Sequence, residues 1–262
     1  MSINDQGFLS PEIEGYRARF RESHVPYFDF VDRVSHFCHQ TKFKIKAHSR
    51  DGQEIFAVGL FIKVMQDVEA GVLLLERGLV SQAASLLRIG LEALIILGKV
   101  CQSNGFVEAF IRIGERQRLR IVRAMRSNPA EAFDVIRGDL TDNLIEHIVD
   151  LIGDAKDETV QQWSQDIGLS ALYDGQYRLF SSEVHSRPRS LERYVDLSDV
   201  GELQDIRFGP DLNENLRPEL LEAARILITA MAFLNTLFEL GIENDIVTFT
   251  TELARLDEQA AD

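Results

Sequence analysis

The chain has 262 residues, 45% of them apolar and 27% charged, and its 42 acidic against 28 basic residues leave a formal net charge of −14. A chain of this length buries roughly 70–75% of its unfolded surface, so it builds a full core, and disulfide scaffolds, collagen-like repeats and disordered chains are excluded. The acidic balance argues against a surface that grips nucleic acid or an anionic membrane everywhere, and leaves room for a local basic patch.

Residues 1–10 lack a basic stretch followed by an apolar run, so no signal peptide is expected. Ser10-Pro11-Glu12 supplies an N-cap hydroxyl, a proline at the first helical position and an acid in the first turn, which predicts a helix to about Ser23. Pro26 opens a second helix that turns Phe30, Val31, Val34 and Phe37 toward the core. After the break at Asp51-Gly52, one apolar-periodic segment runs from Glu54 to about Arg77. Gly78 ends it, and another helix runs from Leu79 to about Gln102, closed by Ser103-Asn104-Gly105. Two long helices on so short a connection should pack antiparallel at the centre of a bundle. The most apolar window, Leu86 to Cys101, is interrupted by Arg88, Glu92 and Lys99, which marks a buried core helix and not a membrane span. Further helices are expected at 106–127, 130–152, 157–167 and 170–186. Cys38 and Cys101 lie far apart with no CxxC, and read as reduced thiols of a cytoplasmic protein.

The stretch from Arg187 to Pro218 breaks this rhythm with three of the six prolines and alternations such as Tyr194-Val195-Asp196-Leu197. It reads as a long ordered loop with room for a small hairpin. Pro218 then begins an apolar helix through Leu240, stopped by Gly241, and a last amphipathic helix covers Asp245 to about Glu258. The expected fold is a single all-α multi-helix bundle over residues 1–262: peripheral N-terminal helices (10–50), a bundle core (54–186), the loop (187–217) and C-terminal helices (218–258).

Two polar clusters interrupt the apolar pattern. On the most apolar helix, Ser81, Ser85, Arg88 and Glu92 recur at spacings of four, three and four, which places them on one stripe. Arg88 and Glu92 form either a solvent-facing ion pair or a pair presented to a polar cavity. In the second cluster, Asp174, Arg178, Ser181 and His185 fall within roughly a 60° arc of a helix, with Leu172, Tyr177, Leu179, Phe180 and Val184 opposite. His185, at the helix end, is suited to general acid or base work near neutral pH, or to capping the last carbonyls.

The segment Leu86-Leu87-Arg88-Ile89-Gly90-Leu91-Glu92-Ala93, followed later by Tyr177-x-x-x-Ser181-x-x-Val184-His185, resembles an uncharacterised all-helical bacterial family known only as a domain of unknown function. The resemblance covers about residues 55–240 and points to Arg88, Glu92, Tyr177, Ser181 and His185 as a polar centre, without implying an activity. Arg178 followed by six residues and His185 is more distantly similar to the Arg-x4-6-His motif of HEPN-fold ribonucleases, although Leu179 replaces the usual polar residue after the arginine. That likeness implies two copies meeting in a homodimer to cut RNA without metal, in a bacterial defence or toxin-type system, with a partner protein or antitoxin. The contrasting expectation is a non-catalytic interaction or oligomerisation module whose cluster locks the bundle.

Between Phe106 and Ser127, Arg112, Arg116, Arg120 and Arg123 share one stripe that either guides RNA or is a solvated face paired to acids such as Glu108, Glu115 and Glu131. His36 and His39 at i,i+3 have no further ligand at metal-binding spacing, so no metal and no cofactor are expected, nor is a membrane partner. There is no GxGxxG, Walker, GxSxG or HExxH motif.

Overall fold

The computed structural model describes residues 2–154, 156, 158–185, 188–199 and 201–258. A single turn, α1 (Ile3–Gln6), leads to α2 (Ile13–Ser23) and α3 (Val25–Thr41). The predicted start at Ser10 moves inward because the Ser10 hydroxyl accepts the Glu12 N–H at 3.2 Å in a turn ahead of the helix. The centre of the fold is the pair α4 (Gly52–Leu75) and α5 (Val80–Gln102). Asp51 caps α4 through the Glu54 N–H at 3.1 Å. Gly78, at φ +73°, lets the chain reverse while the Leu79 N–H returns to the Leu74 carbonyl at 3.0 Å. Glycine takes that backbone conformation at no steric cost, and a Cβ here would also stand 2.8 Å from Pro210 and 2.9 Å from Phe20.

Antiparallel packing of this pair buries Phe61, Val68, Leu75, Leu87, Leu91, Leu94 and Ile95 almost completely. Next, α6 (Phe106–Ser127) runs as predicted, but the segment expected as one helix over 130–152 is split. It forms a short turn, α7 (Asp134–Arg137), and then α8 (Asp142–Ile152), because Thr141 caps a new helix by accepting the Leu144 N–H at 3.3 Å. Leu119, Val122, Ile148 and Ile152 close a small satellite core between α6 and α8, separate from the main one.

The helices α9 (Val160–Asp166), α10 (Ser170–Leu172) and α11 (Arg178–Val184) follow, with a π-turn over Tyr173–Tyr177 between the last two. Both α9 and α11 lie against α5. The predicted loop contains α12 (Pro188–Leu191) and an antiparallel hairpin of β1 (Val195–Leu197) and β2 (Leu203–Ile206); its expected first residue, Arg187, lies outside the described residues. Helix α13 (Arg217–Phe238) packs on α3, α4 and α5, and α14 (Glu243–Glu258) returns along α13. By length and composition α13 could cross a membrane, yet most of its apolar window is inside the bundle. It ends at Glu239, in left-handed conformation at φ +49°, two residues before the expected stop at Gly241.

Candidate functional site

Helix α11 is fixed to α5 by two polar anchors. At the first, Arg88 Nη2 donates to the Tyr177 hydroxyl oxygen at 2.6 Å, and the Tyr177 O–H donates to Glu92 Oε2 at 3.2 Å. Arg88 Nη1 closes the triangle on Glu92 Oε2 at 3.1 Å, and the guanidinium carbon sits 4.8 Å from the Tyr177 ring centroid. Glu92 and Arg88 are thus neither a free surface pair nor a dry core pair. They form a half-buried seam with Tyr177 as third member. Burial, followed by the negative charge of Glu92, pushes the Tyr177 phenol up to about 12, so at neutral pH it is a neutral donor. Among the described residues, Arg88 Nε is buried without a hydrogen-bond partner.

The second anchor lies two helical turns along α5. The Ser81 hydroxyl donates to Glu183 Oε2 at 2.6 Å, and Ser85 donates to the Ser81 carbonyl at 3.0 Å. Arg193 stands beside it, with Nη1 donating to Glu214 Oε1 at 2.9 Å and Nε 3.9 Å from Glu183 Oε2. Burial raises the nearby Glu219 carboxyl above its ordinary value, and its Oε2 is buried without a partner among the described residues.

A π-turn over Tyr173–Tyr177 leads into α11. One extra residue per turn shifts the phase of all that follows, and it stacks the Tyr173 and Tyr177 rings 4.6 Å apart at 19°. Tyr177 and Phe180 are buried, whereas Leu179 is 66% exposed and Val184 40% exposed. An uninterrupted helical count put both of these apolar residues on the inner side with Phe180, and the structure keeps only Phe180 there: Leu179 lies about 100° from it around the helix, and Val184 is at the helix end. Arg178 pairs with Asp174 at 3.1 Å, both groups largely in solvent, and lies 5.6 Å from the Tyr173 ring centroid. Ser181 donates to the Tyr177 carbonyl at 2.7 Å, so its hydroxyl is used by its own helix. His185 follows the last turn and is exposed, and its imidazole makes no hydrogen bond to a described residue. The structure therefore joins Arg88, Glu92 and Tyr177. It places Ser181 next to them without a shared bond, and puts Arg178 and His185 on the outer face of α11.

Glu183, Arg193 and Glu214 were not anticipated. Only the position of Ser81 on the Arg88 stripe hinted at a second anchor. On α6, Arg112, Arg120 and Arg123 are exposed and Arg116 is half-buried. Arg116 and Arg120 already have partners, and Arg118 and Arg126 pair with Glu115 and Asp142 at 3.2 and 2.5 Å. His39 bonds Glu69 at 2.5 Å and His36 bonds Gln40 at 2.8 Å. Among the described residues, no group of three or more His, Cys, Asp or Glu side chains is placed to hold a metal.

A family model described as a family of unknown function, DUF5677, matches residues 54–203, more than half of the chain. The match spans both anchors' residues on α5 and α11 together with Arg178 and His185, and stops before α13, short of the expected limit near residue 240. No curated protein and no solved structure matches the chain.

Proposed function

We propose that this chain, which belongs to the DUF5677 family of unknown function, is a HEPN-like, metal-independent RNA-cutting protein of a bacterial defence or toxin-type system, acting as a homodimer in the cytoplasm. The observation that carries the reading is the outer face of α11. Arg178 and His185 are seven residues apart, two turns and roughly 10 Å along the axis, on one solvent-facing strip. Exposed Leu179 and Val184 flank that strip. Large apolar side chains beside a charged strip suit a self-complementary interface, and a two-fold contact over α11 would bring two copies of the strip together.

In that arrangement His185 takes the proton from a ribose 2′-hydroxyl, and the resulting oxygen attacks the adjacent phosphorus. The bond from phosphorus to the 5′ oxygen breaks, that oxygen gains the proton that His185 carries, and the products carry a 2′,3′-cyclic phosphate and a 5′-hydroxyl. Arg178 holds the phosphate oxygens and the charge gathering on them. Its ion pair with Asp174 does not stand in the way, because exposed pairs of this kind are worth about 0.3–0.5 kcal/mol. Arg88 and Glu92, acting through Tyr177, hold the helix that bears these groups. Arg112, Arg116, Arg120 and Arg123 on α6 would guide the strand.

A second reading, a non-catalytic interaction module, is favoured by one specific observation: Arg88, Glu92 and Tyr177 bond one another in a closed triangle that ties α11 to α5. Incubation of total RNA with the wild-type chain and with His185→Ala separates the two readings. The enzyme reading expects RNA breakdown by the wild type alone. Equal RNA integrity with both proteins, where an unrelated ribonuclease is active, favours the module.

A further inference from the structure

A cleft of about 260 Å3 opens between the start of α5 and the segment that follows β2; it shares Ser81, Arg193 and Glu214 with the second anchor and is lined by neither Arg178 nor His185. Three aromatic rings line it, Phe8, Tyr194 and Phe208, together with two guanidinium groups, Arg193 and Arg207. Phe208 is 81% exposed, a large ring held at the mouth of the cleft. Neither arginine is saturated by its pairing. Arg193 donates to Glu214 through Nη1 with Nε 3.9 Å from Glu183, and Arg207 donates to Asp196 through Nε and Nη2 with Nη1 in an ion pair to Asp211 at 3.4 Å, so each keeps N–H groups at its Nη atoms for a ligand. The floor is formed by Leu79, Val80, Ser81 and Gln82, the cap and first turn of a 23-residue helix that no side chain caps. Leucine cannot accept a hydrogen bond from a helix terminus, so the first-turn N–H groups keep their donors, with the positive end of the helix dipole behind them.

We propose that this cleft binds one nucleotide unit, with its base on Phe208 and Tyr194 and its phosphate between Arg193, Arg207 and the start of α5. Asp211 and Glu214 also line the cleft. They offer acceptors to ribose hydroxyls or base amino groups. The volume is below the roughly 300 Å3 at which sites for drug-sized ligands begin, which matches a single unit and not a dinucleotide. Such a unit arrives either as a free nucleoside monophosphate or as part of an RNA strand. The assignment does not rest on RNA cleavage, because binding is read without turnover.

Calorimetric titration of the full chain with AMP, GMP, CMP, UMP and inorganic phosphate tests it, alongside a short unstructured RNA titrated into His185→Ala so that the strand stays intact. At least one nucleotide is expected to bind, with affinity falling about tenfold in Phe208→Ala through lost stacking, and falling also in Arg207→Gln. Phe208 is exposed, so its removal leaves the fold in place. A mononucleotide bound as well as RNA identifies a free nucleotide as the source, and a clear preference for RNA identifies a strand; both support the site. Phosphate binding as tightly as every nucleotide, affinity unchanged in both variants, or no heat with any probe would overturn it.

Discussion

Replacing Glu222 with glutamine is expected to stabilise the protein at alkaline pH and to leave it nearly unchanged at acid pH. Glu222 lies on α13 at 2% exposure. Its Oε2 accepts from Arg225 Nε at 3.2 Å, and its Oε1 is buried without a partner among the described residues. Burial pushes the carboxyl up to about 7; Arg225 pulls against that shift, and Asp257 on α14 adds to it. The unfolded chain returns the group to an ordinary value near 4.5, so between these two pH values the folded state holds the proton that the unfolded state has released. Stability from this group is therefore present below 4.5, declines as pH rises, and is lost once pH passes about 7. At 1.36 kcal/mol per tenfold change in proton affinity, the full loss is about 3 kcal/mol, of which about 2 kcal/mol falls between pH 5 and pH 8. Glutamine keeps an oxygen for Arg225 and cannot ionise, and the forfeited ion pair offsets under about 1 kcal/mol because Arg225 is part-exposed and still holds Asp257 at 3.1 Å. Urea unfolding of both proteins at about pH 5, 6, 7 and 8 reads the difference directly. Unfolding free energies that stay a constant distance apart across that range would refute the reasoning.

Gly98 on α5 has room for nothing more, since an added methyl would stand 2.6 Å from Ile167 and 2.7 Å from Phe233; Gly98→Ala should cost about 1–3 kcal/mol by overpacking, seen as a lower thermal midpoint. Tyr177→Phe removes the hydroxyl between Arg88 and Glu92 but spares their direct pair and the ring contact, so a loss of about 1 kcal/mol in urea unfolding is expected, less than for Arg88→Ala. Burial pushes the Cys101 thiol up to about 12 and raises that of Cys38 as well; both should react with a thiol reagent only after denaturation, and rapid labelling of the native protein would contradict their burial.

The helices that positioned the site were legible because their signals are local. The apolar run of α5 and the glycine at position 78 mark the central pair. The alternation at Tyr194-Val195-Asp196-Leu197 marks the first strand of the hairpin, and the i,i+4 spacing of Arg88 and Glu92 marks their bond. The π-turn was not legible, because Tyr173–Tyr177 has no composition that demands a wider turn; stacking against Tyr177 and the seam with α5 selects it. The exposure of Leu179 and Val184 was not legible either, because the buried face of α11 is centred on Tyr177 and Phe180, whose contact with α5 no local pattern reports. Glu183 lay inside the second cluster, yet its partner Ser81 is 102 residues away. No periodicity reports a contact of that kind, nor the pairing of Arg193 with Glu214 across the hairpin. The link from Arg88 to Tyr177 was expected from the family resemblance alone.

Metal-independent cutting of RNA by Arg178 and His185 on the outer face of α11, as proposed above, leaves a signature in the chemistry of the cut ends. Purified protein is incubated with a defined RNA in the presence of a metal chelator, and the termini are analysed for the wild type, His185→Ala and Arg178→Ala, each shown to be folded. The wild type is expected to leave 2′,3′-cyclic phosphate and 5′-hydroxyl ends, and both variants intact RNA. Intact RNA with all three proteins, or cleavage that survives the loss of His185, would contradict it.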